Sequence, residues 1–400
     1  GGNRADRMAL QPASGARDLL PRDVGVNRWI AEQLAAVYQR WGYEEVTPPS
    51  LERIDTLEAG GAIQSHQVVQ VVADEALGLR PEMTASIARA ACTRLAAMQR
   101  PLRLHYRGST FQAQRAEDQG LRMVEDLQSG VELMGAKGLA GDAELLRLLL
   151  DAGSHLPLSA EHQPTLLIGH QRLLSVLLEA VEPSLRSTVR RHVCGLNRVA
   201  LSQLELPGQQ RLQLLQLLQL RGEPAAVLNG LEALLGETGL LAELKELISI
   251  IEEQASRAGI RLQLDPTFHP DFELYDGVMV KLVCQGLDAP VAIASGGRYD
   301  ALVQRFSPVG AVASGVGFSF AVEAVRQLLE QADQLPPRLD GQLVLVAYSQ
   351  SSQLHPALNL LEQLHQSGQP AELWPEPCAN QDEAQGIATQ RGVQTVRWVG

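Results

Sequence analysis

Two short stretches of this chain set a carboxylate beside neutral polar groups. Glu82 and Thr84 stand in Leu79-Arg80-Pro81-Glu82-Met83-Thr84-Ala85, and Gln128 and Glu132 stand in Gln128-Ser129-Gly130-Val131-Glu132. A carboxylate with neutral polar groups beside it has the chemistry to take a cation or a hydrogen-bond donor. Spacing also allows ordinary work. Glu82 and Thr84 fit a helix start, where a negative charge complements the dipole and a threonine hydroxyl caps the first turn. Gln128 and Glu132 lie at even spacing, so on a strand they share one face.

Metal and thiol chemistry find less support. No two of the nine histidines have metal-ligand spacing on a helix, and His170 in Ile168-Gly169-His170 reads as a core or cap histidine. Cys92, Cys194, Cys284 and Cys378 are far apart and form no CxxC, which suggests neither a disulfide framework nor a zinc site. We expect no metal and no cofactor. The net charge of −12 argues against a nucleic-acid partner, whose affinity rests largely on neutralised phosphates. The densest basic cluster, Arg186, Arg190, Arg191 and His192, has the spacing of a solvated helix face. No apolar run reaches the ~18 residues of a membrane span, and no basic-then-apolar leader opens the chain. A cytoplasmic protein away from membranes is expected.

The elements that must position these groups follow from periodicity. Val26, Ile30, Leu34, Val37 and Trp41 mark one helical face within Gly25 to Tyr43. Thr47-Pro48-Pro49 forces extended chain. Thr84 to Met98 reads as a helix with Thr84 at its N-cap and Ile87, Ala91 and Leu95 inward. Strand alternation follows at Leu102, Leu104 and Tyr106, and again from Leu127 to Leu133; Asp142 to Asp151 reads as a helix. From about Ile168 to Gly259 the pattern is helical, with a stripe at Leu241, Leu244, Ile248 and Ile251. Leucine-rich Leu212 to Leu220 is too short for a coiled coil and reads as a buried helix. Strands return from Arg261. Leu335-Pro336-Pro337-Arg338-Leu339-Asp340-Gly341 is the clearest linker, and a strand–helix–strand block ends the chain. The expected organisation is a core in two parts (8–165 and 260–334), a helical insertion (166–259) and a small C-terminal α/β domain (342–400).

The motifs carry a resemblance. Leu79 to Ala85 is similar to the LRPEGTA segment of histidyl-tRNA synthetases. Tyr106-Arg107-Gly108 with Phe111, then Gln128 to Glu132 and Gly135, resembles class II motif 2 with its QxGxE ending. Ser295-Gly296-Gly297-Arg298-Tyr299-Asp300-Ala301-Leu302 resembles the family's GGGRYDGL, and Gly315-Val316-Gly317-Phe318 with Glu323 resembles motif 3. Thr47-Pro48 sits where motif 1 carries its dimer-interface proline. The resemblance implies an α+β fold, a class II synthetase-like antiparallel sheet flanked by helices, and dimerisation through motif 1. It also implies a pocket for histidine, with Glu82, Thr84 and Gln128 at positions that hold the α-amino group and Glu132 and Tyr275 at positions that contact the imidazole.

Three departures weigh against synthetase chemistry. Class II synthetases hold ATP with arginines, whose guanidinium pairs bidentately with phosphate and stays charged. The motif 2 arginine should follow Phe111, where Gln112 stands; the motif 3 arginine should follow Glu323, where Ala324 stands; and the arginine that opens RGLDYY has become Pro270. Each such contact contributes roughly 1.5–3 kcal/mol, so three losses remove on the order of 5–9 kcal/mol if additive, thousands-fold or more in adenylation. Arg115 remains where the motif 2 loop carries a second arginine.

A histidine-shaped pocket beside a disabled ATP site resembles the regulatory subunits of ATP phosphoribosyltransferase, paralogues of the synthetases. That resemblance implies a non-catalytic chain required by a short-form catalytic subunit in the first step of histidine biosynthesis. It implies a homodimer within a hetero-octamer, histidine as feedback effector, and no tRNA. Two alternatives share many features: a functional histidyl-tRNA synthetase, and a synthetase-derived binding module for another partner. A standalone phosphoribosyltransferase lacks support, since no strand followed by an acidic pair and a phosphate-cradling loop is found.

Overall fold

The computed structural model describes residues 4–60, 65–115, 120–269, 274–336 and 342–400, which divide into units Gly1–Leu335 and Pro336–Gly400. In the first, α1 (Arg4–Ala9) precedes α2 (Pro21–Arg40). Pro21 opens α2 in its first turn, where a missing N–H costs nothing. Val26, Ile30, Leu34 and Val37 are fully buried, whereas Trp41 caps the helix and its indole N–H donates to Asp151 at 2.8 Å.

β1 (Glu44–Glu45) is followed by Thr47-Pro48-Pro49, outside any helix or strand, and then by β2 (Leu51–Arg53), α3 (Ile54–Gly60), β3 (Gln70–Val71) and β4 (Leu77–Leu79). The last three strands make a small antiparallel sheet, ordered β2-β4-β3. α4 (Thr84–Cys92) is shorter than expected. The Arg100 guanidinium takes the carbonyls of Ala91 and Leu95, each at 2.7 Å, so they need no further helical turn.

β5 (Leu102–Arg115) and β6 (Leu121–Met134) form a long hairpin, in register from Leu102 opposite Met134 to Arg115 opposite Leu121. α5 (Gly138–Ser154) and β7 (Thr165–His170) follow. Then come α6 (Gln171–Leu178), α7 (Arg186–Cys194), α8 (Arg198–Gln203), α9 (Gly208–Leu217), α10 (Pro224–Leu235) and α11 (Gly239–Arg257). Leu241, Leu244, Ile248 and Ile251 are buried on α11. β8 (Arg261–Leu264), β9 (Val278–Gln285), β10 (Pro290–Arg298), α12 (Asp300–Phe306), β11 (Gly315–Ala321) and α13 (Val322–Gln331) complete the unit.

The main sheet runs β1-β5-β6-β11-β10-β9-β7-β8. Its centre is antiparallel, but the end pairs β1/β5 and β7/β8 are parallel, so the sheet is mixed where an antiparallel one was expected. The reason is connectivity. β7 and β8 are joined through α6 to α11, a long crossover of the kind parallel neighbours require.

In the second unit, β12 (Val344–Tyr348), α14 (Leu354–Gln366), β13 (Ala371–Leu373), α15 (Gln381–Gln390) and β14 (Thr395–Val399) build a parallel sheet ordered β13-β12-β14. All of β12 is buried, as its unbroken apolar run requires. The linker residues Pro337 to Gly341 lie outside the described residues. Among the described residues no helix is long and apolar enough to cross a membrane.

Candidate functional site

β6 brings Gln128 and Glu132 to one face, opposite Ala321 and Gly317 of β11. Glu132 is buried. Its Oε1 accepts a hydrogen bond from Thr84 Oγ1 at 2.8 Å and its Oε2 accepts one from the Tyr299 hydroxyl. Thr84 is therefore not the N-cap: Met83 holds that place, and the threonine hydroxyl turns inward to the strand. Glu82 caps the helix instead, accepting from the backbone N–H of Thr84 and of Ala85, the latter at 3.0 Å.

The loop carrying Glu82 is fastened to the hairpin. The Arg80 Nε donates to the Ser109 carbonyl at 2.8 Å and Nη1 to the Pro48 carbonyl at 2.7 Å, while the Phe111 N–H donates to the Arg80 carbonyl at 2.9 Å. On the far side, Arg298 donates to Asp142 at 2.7 Å and to Asp300 at 2.8 Å, fixing the turn that aims Tyr299 at Glu132. Gly297 lets the Tyr275 ring lie on β10, since a Cβ there would stand 2.7 Å from the ring.

These residues share a cavity of about 770 Å³, lined by Glu82, Thr84, Gln128, Glu132 and Tyr275 together. Burial pushes the Glu132 carboxyl up to about 8 against the hydrogen bonds from Tyr299 and Thr84, with Glu82 adding to the rise. Burial likewise pushes Glu82 up to about 7 against the backbone donors of Ala85 and Thr84. Burial and the Glu132 charge raise Tyr106 and Tyr299 well above the usual phenol range, so both remain neutral. Two buried carboxyls, one bonded by neutral hydroxyls and the other by backbone N–H groups, gain most from a cationic or N–H-donating guest.

Sequence reasoning missed several neighbours. Tyr106 and Tyr299 lie inside quoted motifs yet received no role. Ser319 and Asp126 gave no local signal; the Ser319 hydroxyl donates to Gln128 Oε1, and Gln128 Nε2 donates to Asp126 at 2.8 Å. These bonds engage the Gln128 amide within the wall, so a guest must share or displace them.

Gln112 and Ala324 line the same cavity, where neither supplies a guanidinium. Pro270 lies outside the described residues. Three cations that were not anticipated line this cavity, Arg17, Arg122 and Lys281. Arg17 is paired with Glu323 at 2.5 Å, so its charge is held by the protein itself.

The family described as Histidyl-tRNA synthetase matches residues 15–325. An ATP phosphoribosyltransferase regulatory subunit of Synechococcus sp. (strain RCC307) is 99% identical over 393 residues, covering 98% of this chain and all of that protein. The chain belongs to the ATP phosphoribosyltransferase regulatory subunits, within the histidyl-tRNA synthetase-like family. The regulatory subunit of Prochlorococcus marinus (strain MIT 9303) is 47% identical, again over 98% of this chain and 100% of that protein. Among solved structures, an ATP phosphoribosyltransferase regulatory subunit/histidyl-tRNA synthetase from Bacillus halodurans C superposes with a TM-score of 0.80 at 25% identity, covering 98% of each chain. A histidyl-tRNA synthetase from Nostoc sp. PCC 7120 shares the fold, with a TM-score of 0.76 at 19% identity over 96% of this chain and 90% of that one. This family is regulatory rather than catalytic, which accords with the missing guanidiniums at 112 and 324.

Proposed function

We propose that the chain is the non-catalytic partner of a short-form ATP phosphoribosyltransferase catalytic subunit, and that histidine, binding in the Glu132 cavity, is the feedback effector. The observation that carries this reading is the buried Glu132 carboxyl held between the Thr84 and Tyr299 hydroxyls, in a cavity whose expected arginine positions hold Gln112 and Ala324. An imidazole N–H finds its acceptor in Glu132. The ammonium group finds carboxyl and amide oxygens at Glu82 and Gln128.

Regulation requires that histidine bind one arrangement of the complex more tightly than another, since equal affinity for both shifts nothing. The hetero-octamer built on regulatory dimers, and the absence of a tRNA role, belong to the same proposal. Arg122 favours one second reading, a residual nucleotide site in a working synthetase.

Calorimetric titration of the full chain with histidine and, separately, with ATP tests both. Histidine binding without ATP binding, abolished in E132A, is expected. Tight ATP binding would return the synthetase reading to the front. Failure of both ligands would overturn the Glu132 cavity as the effector site of the free subunit.

A further inference from the structure

α7 turns Val189 and Val193 fully into the core, and Arg190 beside them reaches α6. The arginines of this helix are not merely solvated, as their spacing suggested. Arg186, Arg190 and Arg191 line a cavity of about 840 Å³ together with Ser175, Glu179 and His269. Arg190 crosses it, Nη2 donating to Ser175 Oγ on α6 at 2.9 Å. Arg186 is anchored on the carbonyls of Glu179 and Val181, each at 2.9 Å. The Arg191 guanidinium has neither a hydrogen bond nor an ion pair among the described residues. Glu179 is the one acid among the described residues that line the cavity, so a chain of net charge −12 gathers three guanidiniums here against a single carboxylate.

A second cavity, of about 310 Å³, continues from the first through Arg190, Cys194 and His269. Its walls are mixed, with Leu174, Phe268 and Met279 forming an apolar part beside Gln171, His269 and Tyr275. The two together offer a cationic end and a recess with one apolar wall, the arrangement of a small-molecule site with a few polar groups fixing orientation.

We propose that this cleft binds a phosphorylated small molecule, its phosphate on Arg190 and Arg191 and its flat or apolar part against Leu174 and Phe268. A phosphate brings up to two charges and three free oxygens, which fits two guanidinium forks lining one cavity. A carboxylate would satisfy one fork and leave the other uncompensated. Tyr275 lines both this recess and the Glu132 cavity, whereas the phosphate seat on Arg190 and Arg191 shares no lining residue with that cavity.

Titration of the full chain at low salt with UMP and with inorganic pyrophosphate tests it. UMP should bind, pyrophosphate should compete, and R191Q should weaken both by about tenfold, the loss expected for one charge-assisted contact. Arg191 is exposed, so that variant leaves folding undisturbed; R190Q should give a similar loss. R17Q, altering the other cavity, should leave both affinities unchanged. Absence of binding at millimolar concentration, indifference to R191Q, or a loss confined to R17Q would each overturn the proposal. So would a poly-glutamate peptide binding this face while UMP does not, which would make it a protein-docking surface.

Discussion

Gly317 on β11 lies directly across from Glu132 on β6, and a Cβ on that glycine would stand 2.1 Å from Glu132 Oε2 and 2.6 Å from the Val131 carbonyl. The glycine is therefore what lets the carboxylate lie flat against the sheet and meet Tyr299. In G317A either the carboxylate must leave its hydroxyl partners or the strands must part. Such overpacking costs typically about 1–3 kcal/mol. A lowered denaturant midpoint and loss of histidine affinity in calorimetry are the expected outcomes; unchanged affinity would show that Glu132 does not hold the ligand.

Arg298 supplies the second structural test. It is buried and donates to Asp142, Asp300 and the carbonyls of Ala136 and Gly138. R298M would leave Asp142 buried without a counter-charge, a change that typically costs about 3–5 kcal/mol. Burial already pushes Asp142 up to about 6 while Arg298 pulls the other way, so removing the arginine raises it further. The deficit in urea-unfolding free energy should thus be large at pH 8 and smaller at pH 5, where the orphaned carboxyl is neutral.

Much of this site was legible because its residues sit inside short segments whose order is distinctive. Glu82, Thr84, Gln128, Glu132 and Tyr275 converge on one cavity although they come from separate stretches of chain. What stayed hidden was set by tertiary partners. Thr84 looked like an N-cap, yet its hydroxyl is claimed by Glu132 from another element, and Glu82 takes over the capping. α4 ends early because Arg100, outside the helix, donates to the carbonyls of Ala91 and Leu95. The parallel end strands of the sheet depend on crossovers that local periodicity does not encode. Arg17 was invisible as a site residue, since only the fold brings it to Glu323.

The missing arginines make a gain-of-function prediction. Gln112 and Ala324 both line the cavity, so Q112R and A324R place guanidiniums where a nucleotide phosphate would lie. Each should tighten ATP binding by about tenfold, as one charge-assisted contact does. Calorimetry with ATP on the single and double variants measures this. Adenylation of histidine should remain undetectable, because Pro270 still replaces the third arginine. If the double variant binds ATP no better than the parent, the arginine losses are not what disables the site.

The Glu132 carboxyl makes stability depend on pH in a direction opposite to that of an ion-paired acid. Its ordinary value is 4.5, and burial raises it to about 8 in the folded chain. Between those values the folded state binds more protons than the unfolded one, so stability falls as pH rises. The contribution is fully present below about pH 4.5 and is lost as pH passes through 8. Glu82, raised to about 7 by burial, adds a drop of the same sign, so the wild-type profile alone does not isolate Glu132. E132Q keeps an amide of similar shape between Thr84 and Tyr299 and removes one titration. Its thermal midpoint, compared with wild type in the same buffers, should match or fall below it at pH 5 and rise relative to it by pH 9. A difference independent of pH across that range would show that Glu132 is ionised in the empty cavity, paired with a cation that the fold supplies.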